Sequence, residues 1–324
     1  MAPIWVPVVL SVALLLFRGS YSSSEGSWCY NEPQCGPNTW LSVGECAGKR
    51  QSPINIISAE AIANPSLGAV TLTNYDDSKK LLEIKNTGKT VDIELGDGLY
   101  LAGHGLPSSY TAKSFHLHWG NGVSKPGSEH NIDGKRYSME LHIVHTKNNM
   151  SVSDAVKDPE GIAVLGFFLE GSEKAKGKTA QAWELFTKNL QKVSEKGEDT
   201  DLTSTVSLLD LVGSTDLGHY YRYSGSLTTP KCSEAVIWTV FAKPILVSPK
   251  VVAAFPSELH STDSSSGPQI ENNFRPLQKI GERKVEASAS LKANSASSFI
   301  SQPVMLLFFL FITTLASSLP FQRL

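Results

Sequence analysis

The segment that most limits what this chain can fold into spans residues 114–145, which hold five of its eight histidines. It opens SFHLHWG (114–120), passes through SEH (128–130) and closes MELHIVH (139–145). In FHLHW apolar residues alternate with histidines. A strand sends residues i and i+2 to the same face, so His116 and His118 point together and Phe115, Leu117 and Trp119 point the other way. In MELHIVH the same alternation puts Glu140, His142 and Val144 on one side and Leu141, Ile143 and His145 on the other. If the two strands are neighbours, three imidazoles converge. Three neutral nitrogens with a fourth position open are the ligand set of a catalytic zinc. A single strand histidine is more often a satisfied polar group. The second strand, with histidine at the right parity and Glu140 two residues before it, favours the metal, because a metal-bound imidazole donates its other N–H to an acceptor.

Around this segment the chain reads as short strands. VTLTNY, KLLEIKNTG, TVDIEL and GLYLAG follow one another between residues 70 and 103, separated by Asp, Asn and Gly turns. That spacing argues for a largely antiparallel sheet. GIAVLGFFL (161–169) and VIWTVF (236–241) are continuous apolar runs, expected as strands buried on both faces. Residues 178–193 carry Ala182, Trp183, Leu185, Phe186, Leu190 and Val193 at helical spacing, so a helix is expected to pack one face on the sheet. With 324 residues, 41% of them hydrophobic, the chain can bury a large core, and a net charge of −2 gives no reason to expect a nucleic-acid partner.

Several motifs, in order, resemble the α-class carbonic anhydrases: QSPINI (51–56), FHLHWG, GSEH, ELHIVH, YSGSLTTP (223–230) and NNFRPLQ (272–278). The resemblance covers about residues 28–280. It implies a mainly β (α+β) single domain around a large twisted, mostly antiparallel central sheet with peripheral helices. It also implies a zinc-dependent hydration of carbon dioxide to bicarbonate. By that resemblance His116, His118 and His142 are the zinc ligands. Glu140 is the acceptor for His142, and His118 donates to a backbone carbonyl near Asn273. Glu129 is a buried carboxylate that accepts from Thr228. An ionised carboxylate can only accept, so Thr228 is left as an acceptor toward the nucleophile. Val144, Val164, Leu227 and Trp238 match the apolar pocket for carbon dioxide, with Thr229 beside them. Tyr30 lines the polar wall, and Ser52-Pro53 stands where the family has a cis-proline.

The chain departs from that pattern at particular positions. Lys89 stands where a proton-relaying histidine is common. An ordinary lysine, with a pKa of about 10.4, is already protonated at neutral pH, so Lys89 is expected as a solvated rim charge and a poor shuttle. Thr87 and Asp92 replace wall asparagines. Ser114 replaces a glutamine that holds His116, and Lys231 replaces a proline.

The ends read as targeting segments. Residues 1–22 carry an apolar run of signal-peptide length followed by small polar residues. Residues 23–283 are then the catalytic domain, 284–294 a polar stalk and 295–324 a propeptide for a GPI anchor at Asn294. A spanning helix is the alternative for the tail. Cys29, Cys35, Cys46 and Cys232 suit an oxidising compartment, and sequence alone allows three pairings. The resemblance, to the membrane-bound branch, implies Cys29–Cys35 and Cys46–Cys232. Asn149 heads a glycosylation sequon. An anchored enzyme would sit at the extracellular face of the plasma membrane, beside bicarbonate or acid transporters. A catalytically weak or inactive binding module on the same fold is the alternative function. An esterase is a third reading.

Overall fold

The computed structural model describes residues 28–202 and 206–291. The expected signal peptide, Asn294 and the GPI propeptide lie outside the described residues.

A thirteen-stranded sheet organises the domain. In chain order its main path uses β1 (Ile62–Asn64), β2 (Leu81–Asn86), β3 (Val91–Leu95), β4 (Tyr110–Trp119), β5 (Met139–Lys147), β6 (Ile162–Gly171), β7 (Asp199–Asp201), β8 (Tyr220–Gly225), β9 (Val236–Phe241) and β11 (Glu286–Ser288). A short strand, β10 (Ile245–Val247), pairs with β6 off that path. The order across the sheet is β7-β2-β3-β4-β5-β6-β9-β8-β11-β1. Most neighbours are antiparallel. The parallel pairs are β6 with β9, β6 with β10, and β11 with β1. The strands expected between residues 70 and 103 form, at Thr71–Thr73, β2, β3 and Tyr100–Ala102. β6 and β9 are buried along nearly their whole length, as their unbroken apolar runs require.

Alternation divides the sheet into two faces. Phe115, Leu117, Trp119, Leu141, Ile143, Leu165 and Phe167 belong to the larger core. Three helices cover it: α1 (Lys178–Thr187), α2 (Leu208–Val212) and α3 (Pro249–Glu258). Trp183 is buried there and donates its indole N–H to the Leu211 carbonyl. The expected long helix ends at Thr187, and the chain continues as a 3₁₀ turn, Leu190–Val193. Ile54, Val164, Phe168, Tyr223, Val236 and Trp238 form the smaller core on the other face.

The β4–β5 register shifts once, so that Val144 faces Ser114 while His145 faces Ala112. Lys113 is therefore the extra residue of a bulge, which flips the alternation of β4. Tyr110 and Ala112 thus lie in the same core as Phe115 and Leu117, and His116 and His118 stay on the opposite face.

The expected polar stalk begins too early at 284. Glu286–Ser288 is a strand, pairing with β8 through Tyr221–Ala287 and with β1 through Ala287–Ala63. Ala287 is fully buried. Its small neighbours give the composition of a linker, but their backbone groups are used in the sheet.

Disulfides join Cys29 to Cys35 and Cys46 to Cys232. Trp28, Tyr30 and Trp40 pack edge to face beside the second. The Ser52–Pro53 bond is cis, and so is Pro230–Lys231 in the loop where lysine replaces a proline.

Candidate metal centre

β4 and β5 pair so that His142 lies directly opposite His116 and Glu140 opposite His118. The ring centroids are 5.1 Å apart for His116–His118, 5.3 Å for His116–His142 and 4.6 Å for His118–His142. One ligand nitrogen from each lies within 4.8 Å of the others.

Hydrogen bonds set which nitrogen each ring presents. His118 Nδ1 donates to the Asn273 carbonyl at 2.7 Å, leaving Nε2 free to face inward. His142 Nε2 donates to Glu140 Oε1 at 2.7 Å, leaving Nδ1. Burial and the neighbouring imidazoles keep His118 neutral, with its pKa lowered to about 3, and hold His116 well below the usual range. Neutral imidazoles are what a metal needs. His118 Nε2 is buried and has no hydrogen-bond partner among the described residues. A buried polar atom without a partner is costly, and a cation between the three rings would satisfy it. The donor set fits zinc.

Among the described residues nothing hydrogen-bonds the His116 ring. Ser114, which stands where the resemblance has a glutamine holding that ring, instead favours the carboxylate of Asp92 through a hydrogen bond. Asp92 is itself the cross-strand neighbour of His116. Burial raises its pKa to about 6, against the pull of Ser114. A serine hydroxyl is shorter than a glutamine side chain, and here it bonds Asp92 instead of the ring.

Glu129 is fully buried. Its Oε1 accepts the Arg275 backbone N–H at 2.8 Å, and its Oε2 lies 3.4 Å from His118 Nε2. Burial raises its pKa, opposed by His142, by the Arg275 amide and by a hydrogen bond with Thr228. Arg275 fixes this wall, donating to Gln51 Oε1, the Ser52 carbonyl and the Cys46 carbonyl. Tyr30 adjoins it, its pKa raised well above normal by burial and by Glu129. On the apolar side Val164 and Trp238 are buried, and Val144 and Leu227 pack against them. Trp238 meets the His142 ring edge-on at 4.8 Å. Thr229 lies next to Thr228 in the loop, its carbonyl accepting from the Cys232 amide.

Lys89, expected as a solvated rim charge, is only partly solvated. Its Nζ sits 4.7 Å above the Trp28 ring, and burial and then Lys196 lower its pKa. Its carbonyl accepts from Asn273 Nδ2, tying it to the residue that holds His118.

Sequence reasoning missed a chain of groups behind Glu140. Glu140 also accepts from the His130 backbone N–H at 2.8 Å and from His130 Nδ1 at 2.7 Å. Burial pushes its pKa up, but attraction to His130 and His142 and their hydrogen bonds hold it well below the usual range. With Nδ1 protonated, His130 Nε2 accepts from the Tyr223 hydroxyl at 2.6 Å, and Tyr223 accepts from Ser52 at 2.8 Å. Both His130 and Tyr223 lie inside motifs already singled out, GSEH and YSGSLTTP.

Comparison with known proteins agrees with this geometry. The family model for eukaryotic-type carbonic anhydrase matches residues 35–289. The chain belongs to the eukaryotic-type carbonic anhydrase family. It is 36% identical to "Carbonic anhydrase 4" of Rattus norvegicus, over 95% of this chain and 98% of that protein. It is 34% identical to "Carbonic anhydrase 15" of Mus musculus, over 91% of this chain and 93% of that protein. Carbonic anhydrases interconvert carbon dioxide and bicarbonate and are generally zinc-dependent, which suits the histidine triad. The two disulfides suit a carbonic anhydrase made in the secretory pathway. Among the described residues no helix is long and apolar enough to cross a membrane.

Proposed function

We propose that this carbonic anhydrase catalyses the zinc-dependent, reversible hydration of carbon dioxide at the extracellular membrane surface, held there by a GPI anchor near Asn294. The observation that carries the active-site reading is the orphaned, buried Nε2 of His118, next to two more imidazoles and beneath an apolar wall.

His116, His118 and His142 would hold the zinc. When bound, the ion acts as a Lewis acid that lowers the pKa of water from 15.7 to about 7, making a nucleophile available at neutral pH. The chain's own residues do the rest. Glu140 and the Asn273 carbonyl fix the tautomers and tilt of two of the rings. Thr228 donates to Glu129 and so presents a lone pair toward the nucleophile, which keeps it aimed at the substrate carbon. Val144, Val164, Leu227 and Trp238 offer a dry surface for an apolar gas molecule, with Thr229 at its edge. The proton released must leave along the wall that carries Lys89. An ammonium held against the Trp28 ring is a poor acceptor for it, so that step depends on external buffer.

Surface anchoring would put the enzyme beside bicarbonate or acid transporters, supplying or removing their substrate and helping to regulate pH. A glycan on Asn149 is compatible with its position: the residue is exposed in the turn after β5.

The deciding experiment is stopped-flow carbon dioxide hydration on purified protein with zinc quantified in the same sample. Activity at about one zinc per chain, abolished by His142→Ala, is expected. Stoichiometric zinc without hydration would overturn the catalytic reading. Release of the protein from cell surfaces by a phosphoinositide-cleaving phospholipase tests the anchor, and retention would exclude it.

A further inference from the structure

On the face of the sheet away from the histidines, a second cavity is built from different chemistry. It has a volume of about 850 Å³ and lies between the start of α1, α2 and β10. Lys174, Lys176, Lys178 and Lys243 stand around it, and Leu209 and Leu246 line it. Ile245 and Val212, which also line it, belong to the larger core, whereas the metal site adjoins the smaller one.

Two features of this cleft are unbalanced. The first is charge. Lys178 lies 3.6 Å from Asp210, but Lys174, Lys176 and Lys243 form no ion pair among the described residues. The acids present are already engaged. Asp210 accepts from the Ser207 amide and hydroxyl, and Asp216 from the Gly218 amide and His219. The second is apolar exposure. Leu209 is 39% and Leu246 42% exposed. Apolar surface in a concave setting rimmed by polar groups marks a binding surface.

From this we infer that the cleft docks an acidic, leucine-bearing peptide segment of a partner protein. Carboxylates of such a segment meet the unpaired ammonium groups, and its apolar side chains cover Leu209 and Leu246. A sulfated glycan would match the charge but leave the leucines in water. A flat lipid surface does not fill a concave cleft. Because the groove lies on the opposite face of the sheet from His116, His118 and His142, a docked partner leaves the metal cavity open. Docking would hold the enzyme beside its partner without inhibiting it.

The test uses the purified, zinc-loaded protein and a fluorescein-labelled peptide of glutamates interspersed with leucines, read by fluorescence anisotropy. Binding is expected, weakening as salt rises. The K174E/K176E/K243E variant is expected to bind about tenfold or more weakly, as is L209S/L246S, with unchanged melting temperatures as the control for folding. Equal binding of a peptide with serine in place of leucine, or equally tight binding of a heparin fragment, would overturn the peptide assignment. Binding unaffected by the lysine reversals, or no binding of the glutamate–leucine peptide, would overturn the site.

Discussion

His118 Nε2 and Glu129 Oε2 face each other across 3.4 Å in the interior, and among the described residues neither of these two atoms has a close hydrogen-bond partner. A lone pair opposite a carboxylate oxygen is unfavourable in a dry site, and a cation bound by the three imidazoles removes the conflict. Metal binding should therefore stabilise the fold strongly. At a thousandfold excess over Kd, linkage gives about 4 kcal/mol, or roughly 10 °C in melting temperature for a domain of this size. Differential scanning fluorimetry with and without a strong zinc chelator measures it. An unchanged midpoint on metal removal would show that the triad does not hold the ion.

Glu140 is the hinge between the metal triad and the protein behind it, accepting from His142 and twice from His130. Glu140→Ala frees the His142 ring to rotate and leaves the His130 donors unpaired. The expected loss in zinc affinity is about 10–100-fold, read by competition with a chromophoric chelator. Tyr223→Phe breaks the chain one step further out and should cost about 1–3 kcal/mol in stability, because His130 Nε2 loses its donor in a buried setting. Its effect on zinc affinity should be smaller than that of Glu140→Ala. The reverse order would mean that the outer groups, not Glu140, set the ring.

How much of this was legible in the sequence depends on how far each signal travels along the chain. His116, His118 and His142 could be placed on one face because alternation is a local property that survives pairing. The bulge at Lys113 was not legible, because it exists only relative to the β5 register. The strand Glu286–Ser288 was misread as stalk. Its partners, Tyr221 and Ala63, are remote in sequence, and small residues at a paired position look like a linker. His130 and Tyr223 were quoted within motifs without a role, since their bond joins positions 93 residues apart. The environment of Lys89 was hidden for the same reason, because Trp28 comes from the N-terminal segment.

Lys89 stacks on Trp28, and burial and Lys196 lower its pKa. A cation held on an indole face gains from the ring, which opposes release of its proton. Turnover should therefore rise with imidazole concentration. Lys89→His should speed hydration at low buffer, approaching the ~100-fold that a placed base can contribute, and should remove most of the imidazole dependence. Stopped-flow rates across an imidazole series test both statements. Buffer-independent, fast turnover in the unmodified enzyme would show that another group moves the proton.

His145 is buried on the core face of β5, with Nδ1 donating to the Ala163 carbonyl at 3.1 Å and Nε2 accepting from the Tyr75 hydroxyl. Burial lowers its pKa to about 4 from 6.5, while the carbonyl contact acts the other way. The neutral ring is therefore the folded form across most of the acidic range. The unfolded chain takes up a proton below about pH 6.5 and the folded chain only near pH 4, so stability is full above 6.5 and falls as pH drops between the two values. The loss attributable to this residue approaches about 3 kcal/mol, from 1.36 kcal/mol per pKa unit. Denaturant unfolding at a series of pH values, with zinc saturating throughout, compares the native chain with His145→Phe. The variant will be less stable at pH 7, since Tyr75 loses its acceptor. Its stability should nonetheless fall less steeply between pH 6.5 and 4, because the histidine's share of the slope has gone. Parallel curves would mean that His145 does not titrate differently on folding, and that acid sensitivity resides in other groups such as the metal triad.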